Sequence, residues 1–289
     1  MDEAITVGKH RRKVKLQPVD LARLLALLVF GFLMISPFIL ILSISFDRTA
    51  NVTLPYPPRF LPAHPSLFNY RLIFQNGGLL QAYVNSFIVA VASVIVKVSS
   101  ALLAGYAFSK GKFKGKRVIF LVFLATLMVP VESRLISLYL MWNHVHLINT
   151  FWPLILPNMI DAFLVFLAKQ FFDELPDSFR EAAQIDGAGE FRTFLKVYLP
   201  LAGPITATMA ILSFMWSWND FLWPLIVLTS TKLHTIPLYM ASFTLQNGES
   251  YAGMTMAALA LGSIPVLILF IFLQKYVIRS VALSGLKGE

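Results

Sequence analysis

The chain has 289 residues, of which 57% are hydrophobic and only 13% charged, and its mean hydropathy is +0.71. A soluble domain carries about 25% charged residues, so too little polar surface remains to cover a water-facing globule, and the composition indicates an integral membrane protein. Cysteine is absent, which excludes a disulfide framework, a thiolate metal site and a cysteine nucleophile. The net charge of +9 raises the question of nucleic acid, which the placement of the cations answers below.

A helix that crosses the hydrocarbon core needs about 20 mostly apolar residues. Six stretches meet this length, at roughly 21–45, 82–108, 118–141, 151–171, 201–228 and 255–278. They are continuously apolar, whereas barrel strands alternate over about 10 residues, so the fold class predicted is all-α with six transmembrane helices. Residues 1–20 form a basic tail with Lys9, Arg11, Arg12, Lys13 and Lys15. The apolar run after it is too long for a signal-peptide core and no small-x-small cleavage pattern follows, so it reads as a retained helix. Residues 46–81 carry Pro55, Pro57, Pro58, Pro62 and Pro65 and read as an irregular external cap.

Orientation follows from the cations. With both termini inside, segments 1–23, 109–117, 169–200 and 275–289 hold 6, 5, 4 and 3 Lys and Arg, eighteen of the 24, against four in the outer loops. Such a bias places the cationic loops, and both termini, in the cytoplasm. Anionic lipid headgroups explain the basic run Lys110 to Arg117, so no nucleic-acid partner is expected. The outer segment 229–254 has an apolar middle with Tyr239 and Phe243 and a polar tip, Gln246, Asn247, Gly248 and Glu249, a candidate contact for an external protein.

The inner loop 172–200 is richer than a connector. Pro176 suits a first helical turn, Asp177 and Ser178 can satisfy free amides there, and Asp186-Gly187 is a helix stop. Between them lies a short helix with Phe179, Ala182 and Ala183 on one side and Arg180 and Glu181 beside them. A second helical piece, about 189–198, precedes Pro200. Two short helices across the inner face make a docking element: small alanines permit close approach and Phe179 can fill a pocket.

This loop, Glu181-Ala-Ala-Gln-Ile-Asp-Gly187 followed by Phe194 and Leu199-Pro200-Leu-Ala-Gly-Pro204, closely resembles the EAA loop of ABC importer permeases. Asn85-Ser-Phe-Ile-Val, Gly105-Tyr-Ala-Phe-Ser-Lys, Trp218-Asn-Asp-Phe-Leu-Trp-Pro-Leu-Ile226 and Gln274-Lys-Tyr-Val-Ile-Arg with Gly285-Leu-Lys-Gly288 resemble its carbohydrate branch, over roughly 82–288. The resemblance implies a type I importer transmembrane domain, a permease core at 82–279 and a cytoplasmic tail at 280–289, in the cytoplasmic membrane of a bacterium or archaeon. It implies as partners a second homologous permease, two ATP-binding cassette subunits and an external solute-binding protein. Phe179, Arg180, Glu181, Ala182, Ala183, Asp186 and Gly187 would form the coupling helix that sits in an ATPase cleft. ATP and Mg would be held by the ATPase subunits, since no G-x-x-x-x-G-K-[ST] loop is present, and this chain would be non-catalytic. The substrate implied is an oligosaccharide or sugar; glycerol-3-phosphate and polyamine importers share parts of the pattern.

Charges within hydrocarbon cost about 2.5–3.5 kcal/mol each on insertion scales, so they should face protein or water. Lys97, Glu132, Arg134 and Asp161 are such charges. Lys97 and Glu132 lie at similar depth, which allows a structural ion pair, and the alternative reading puts Glu132 and Asp161 in the translocation pathway. Trp216, Trp218, Asn219 and Asp220 cluster in the fifth span: either an interfacial aromatic belt or a pathway wall that offers sugar rings aromatic faces and polar groups. His144 and His146 lack a third metal ligand at supporting spacing, and no metal site is expected. A secondary transporter would show matching broken helices in two halves, and a membrane enzyme would need a catalytic set; neither is evident in the sequence.

Overall fold

The computed structural model describes residues 18–52, 56–157, 159–247 and 251–285. The basic tail at 1–17 and the tip residues Gly248 and Glu249 lie outside them. Among the described residues the chain is helical with a single isolated β-bridge, Asp47 to Pro65. The helices are α1 (Pro18–Phe46), α2 (Phe68–Asn76), α3 (Leu79–Lys110), α4 (Lys116–Ala125), α5 (Leu135–His144), α6 (Trp152–Ile155) and α7 (Ala162–Glu174). There follow α8 (Ser178–Ile185), α9 (Glu190–Thr193), α10 (Leu199–Leu201), α11 (Gly203–Asn219), α12 (Leu222–Val227), α13 (Ile236–Asn247) and α14 (Ala252–Gly285).

Two described helices, Ala22–Phe46 and Leu79–Lys110, are long and apolar enough to cross a membrane, and four spans result if each bent pair counts as one. Of the six spans expected, the third, fourth and fifth are not continuous helices. The third breaks between Met128 and Glu132, with a bend of 93°. Pro130 drives Val129 into extended backbone, ψ 112°, because a residue before proline is excluded from the helical region. The fourth is a short α6, a gap, and then α7. In the fifth, Pro224 lacks the N–H that would reach the Asp220 carbonyl, and Asp220 turns extended, ψ 123°, between α11 and α12. Pro200 and Pro204 flank a further 80° bend before α11. The segment 46–81, expected as an irregular external cap, is not wholly irregular either, since it contains α2 and the start of α3.

Helix α3 organises the rest. Its 32 residues span about 48 Å at 1.5 Å each, longer than the hydrocarbon core is thick. Towards its C-terminal end it packs against α7 so closely that a Cβ on Gly105 would lie 2.5 Å from the Ala168 Cβ and 2.9 Å from the Lys169 backbone N. Towards its N-terminal end Asn85 donates to the carbonyls of Lys232 (2.8 Å) and His234 (2.9 Å) and accepts from Gln81 (2.9 Å). Ser86 Oγ accepts from the N–H of Ile236 at 2.7 Å. The Asn85-Ser86 pair thus fixes the loop that leads into α13. A second polar clasp joins α1, α2 and α14: buried Asn69 donates to the carbonyls of Ser45 and Asp47, both 2.9 Å, and Asn51 Oδ1 accepts from the N–H of Met254 at 3.0 Å. The membrane-facing window of α1 has no buried residue, the condition of a helix bathed in lipid or covered by another subunit.

Because the Gly105 approach is backbone to backbone, Gly105→Leu should overpack the α3–α7 seam and destabilise the fold by about 1–3 kcal/mol. A drop in the thermal unfolding midpoint of the purified chain in detergent checks this; an unchanged midpoint would show that the seam is loose.

Candidate functional site

The loop after α7 is built as two helical pieces around one carboxylate. Helix α8 begins after Pro176, but Asp177 does not cap it as expected: its side chain makes no capping bond and instead accepts from Lys110 Nζ at 2.6 Å. An ammonium outcompetes a neutral amide N–H for a carboxylate, and this bond holds Asp177 below the usual carboxylate range. Lys110 also donates to the Leu175 carbonyl at 2.7 Å, so the inner end of α3 grips the entry to the loop.

Helix α8 ends as the sequence predicts. Gly187 has φ +75°, its N–H donates to the Gln184 carbonyl (3.0 Å), and the Ala188 N–H reaches back to Ala183 (2.9 Å). That pair of bonds is a Schellman cap, and the left-handed conformation favours glycine. The side-chain pattern is partly different from the expectation. Ala183 is buried, while Phe179, Glu181, Ala182 and Asp186 are exposed, so Ala183 does not share the exposed face of the helix. Ile185, overlooked in the sequence, is 86% exposed and belongs to it. A groove of about 390 Å³ runs beside this face, lined among others by Phe179, Ala182, Arg192 and Lys196.

Arg180, expected at a partner contact, is engaged within the loop in this chain. Its Nε donates to Glu190 Oε1 at 3.0 Å, and its terminal nitrogen also pairs with Glu190. Glu190 accepts further from Tyr106 Oη (3.0 Å) and Gln184 Nε2 (3.2 Å). The Arg180 guanidinium holds the Glu190 carboxyl below its ordinary value and is itself pushed up by it. Beneath this node Tyr106 packs with Phe172, Phe194 and Tyr198, ring centroids 5.0–5.9 Å apart. Phe194 and Tyr198 belong to a π-helical turn, Phe194–Tyr198, a form often found at functional sites. The signal for this node was the i, i+10 spacing of Arg180 and Glu190, which no helix periodicity exposes.

Lys97 is 6% exposed and is in none of the ion pairs formed among the described residues; a Lys97–Glu132 pair does not form, because the break at Pro130 leaves Glu132 exposed in a 3-10 turn. Asp161 caps α7, accepting from the N–H groups of Phe163 (2.9 Å) and Leu164 (3.1 Å). Lys97, Trp216, Asn219 and Asp220 line one cavity of about 420 Å³. Trp218 does not: it is 3% exposed and stacks on Phe214, centroids 5.4 Å apart. It is core. The side chains of Gln246 and Asn247 are outside the described set, though both end α13.

Apolar helices broken at charged residues, with a short exposed helix on a clamped polar loop, define the membrane-embedded part of a transport system. The chain belongs to the family of binding-protein-dependent transport system inner membrane components, whose sequence model matches residues 98–283. It is 36% identical over 230 residues to the arabinooligosaccharides transport system permease protein AraQ of Halalkalibacterium halodurans, covering 79% of this chain and 82% of that protein. It is 32% identical over 230 residues to the sn-glycerol-3-phosphate transport system permease protein UgpE of Salmonella typhi, covering 77% and 82%. A chain in the crystal structure of a bacterial ABC transporter involved in the import of the acidic polysaccharide alginate superposes with a TM-score of 0.80 at 25% identity, covering 89% of this chain and 96% of that one.

The depressed Glu190 carboxyl sets a pH window. A group whose value falls on folding stabilises the folded state above its ordinary value, near 4.5, and loses that contribution as pH falls through the lowered one. Hydrogen exchange of the 178–193 amides, corrected for intrinsic rates, should stay protected down to about pH 4.5 and open only below it. Glu190→Gln should open the loop at neutral pH; unchanged protection in that variant would contradict the clamp.

Proposed function

We propose that this chain is one of two paired permease subunits of an ATP-driven, binding-protein-dependent importer of oligosaccharides or sugars. In this reading it forms half of the translocation pathway and couples through α8 to ATPase subunits that hold ATP and Mg. The observation that carries it is the combination of family membership with a helix that presents Phe179, Glu181, Ala182 and Ile185 to a partner. The relatives named for arabinooligosaccharides support a saccharide cargo; the relative named for sn-glycerol-3-phosphate supports a sugar phosphate as second reading.

The mechanism follows from the geometry. An ATPase subunit that closes on ATP pulls on α8. The Glu190 node and the aromatic cluster pass that displacement to the inner ends of α3, α7 and α11 rather than letting the loop yield. The broken helices then shift, and the pathway opens outward to a loaded binding protein and inward after release. The cation bias supports loop 109–117 on the cytoplasmic side, with the segment around Phe60 outside.

Gly187→Val places a β-branched residue at φ +75°, a strain of roughly 1–3 kcal/mol, and should abolish uptake and weaken ATPase association while the chain still inserts. Glu181→Lys, which reverses charge on the docking face, should do the same. Normal uptake by Gly187→Val at wild-type abundance would remove the coupling role. Orientation is tested separately: in this cysteine-free chain, a cysteine at Phe60 should react with an impermeant maleimide from outside and one at Lys114 should not. The reverse pattern would invert the topology.

A further inference from the structure

The end of α3 at Lys110 carries more positive charge than the protein around it balances. Residues 109–117 and 169–177, which meet there, hold six Lys and Arg against three Asp and Glu. Three of the six cations are spent on the fold. Lys110 pairs with Asp177 at 2.6 Å and Lys169 pairs with Asp173. Lys116 Nζ donates to the carbonyls of Ser109 at 2.6 Å and Gly111 at 3.1 Å, which ties the start of α4 to the end of α3. Lys112, Lys114 and Arg117 are exposed and take part in none of the ion pairs formed among the described residues. Asp173 and Asp177 are already taken, and Glu174 pairs with none of the three.

Helix α4 sets this surplus at the foot of an apolar stripe. At 3.6 residues per turn, Arg117, Val118, Leu121, Val122 and Ala125 fall within an arc of about 140°, and all five are exposed. Lys116, Phe120, Phe123 and Leu124 fall on the other side and are half-buried. That side faces the body of the protein: Phe120 and Phe123 pack on Phe108 of α3, centroids 5.2 and 6.3 Å apart, and Lys169 of α7 lies over the Phe120 ring. The rotation that turns Lys116 inward thus turns Arg117 outward with the stripe. The helix also starts without a side-chain cap, behind Gly115 at φ +76°, so the positive end of its dipole adds to the pull on an anion.

A cationic foot under a stripe about 12 Å long matches an amphiphile with an anionic head. A soluble anion would use the foot and leave the stripe bare; a second apolar helix would cover the stripe and leave the cations unmatched. We propose that α4 and the loop before it form a binding site for one anionic phospholipid: Lys112, Lys114 and Arg117 hold the phosphate headgroup, and Val118, Leu121 and Val122 seat the acyl chains. The site goes beyond the importer reading and does not depend on it, since it needs only that α4 lies in a membrane.

The test uses the full chain in lipid nanodiscs. Ala125→Cys, at the far end of the stripe and the only cysteine present, carries a bimane whose fluorescence brominated acyl chains quench. In a phosphatidylcholine background, brominated phosphatidylglycerol should quench it with about tenfold higher apparent affinity than brominated phosphatidylcholine, as expected for three salt-screened cations at an anionic headgroup. A bimane at Leu33→Cys, exposed on α1, should show no such preference. Neutralising the foot, with Lys112→Gln, Lys114→Gln and Arg117→Gln together, should abolish the preference at Ala125. The swap Lys112→Arg, Lys114→Arg and Arg117→Lys should keep it, which separates loss of charge from loss of fold. Inorganic phosphate at constant ionic strength should not compete. Equal preference at both bimanes would mean general attraction of lipid to cationic loops, and competition by phosphate would mean a site for a soluble anion. Failure of either lipid to quench at Ala125 would mean that protein covers the stripe. Each of these results, or an undiminished preference in the neutralised variant, overturns the lipid site and leaves the importer reading to its own uptake test.

Discussion

The carboxylate of Glu190 is the point on which the loop after α7 depends. It accepts from Tyr106 on α3 and from Arg180 and Gln184 on α8, so one side chain ties a membrane-spanning helix to a surface helix through charge-assisted bonds. Without it α8 would be held by its Schellman turn, the Lys110–Asp177 bond and shallow packing at Ala183. A surface ion pair alone contributes little. This one differs in its footing, because Tyr106 is itself fixed among Phe172, Phe194 and Tyr198, rings that no small displacement can rearrange without opening a cavity. Stiffness at this point is what the proposed coupling role of α8 requires, since a helix that yields under load transmits nothing.

A second constraint acts at mid-depth. Backbone groups freed by a helix break find no water in hydrocarbon, so each break needs its own satisfaction. Asp161 supplies it for α7 by accepting two N–H groups. At the link to α12 proline removes the donor instead, because Pro224 has no N–H to orphan. Asp220, in the extended link at the second break, lines the same cavity as Lys97. The breaks and the polar cavity are therefore one feature with two consequences: irregular backbone is tolerated where it lines a cavity, and the cavity acquires its polar wall from the irregular backbone.

Much of this was legible in the sequence, and the misses have physical causes. The helix stop at Gly187 was readable because its chemistry is local: a glycine after a short amphipathic run can satisfy the end only with positive φ. The membrane class was readable from apolar length alone. Span continuity was not, because hydropathy does not register the lost hydrogen bond at Pro130 or Pro224, although the prolines were there to be weighed. The Lys97–Glu132 pairing failed for the same reason, since matching depths along straight helices has no meaning once one of them turns by 93°. Asp177 and Arg180 were placed by local rules, a cap and an exposed charge, and both were claimed by distant partners, Lys110 and Glu190. The burial of Trp218 beside the exposure of Trp216 depends on which face of α11 meets Tyr83 of α3, a matter of helix rotation that composition leaves open.

The central claim, that α8 moves as one body with the C-terminal end of α3, is tested most directly by pulsed electron spin resonance on the assembled transporter, with spin labels on cysteines at Ser178 and Leu103. Both residues are exposed, and the chain offers no competing cysteine. The account predicts that the distance distribution between the two labels is the same without nucleotide and in the ATP-trapped state, even as the paired subunits rearrange. A shift of about one helical turn, ~5 Å, between those states would mean that the loop slips against the spans and would contradict it.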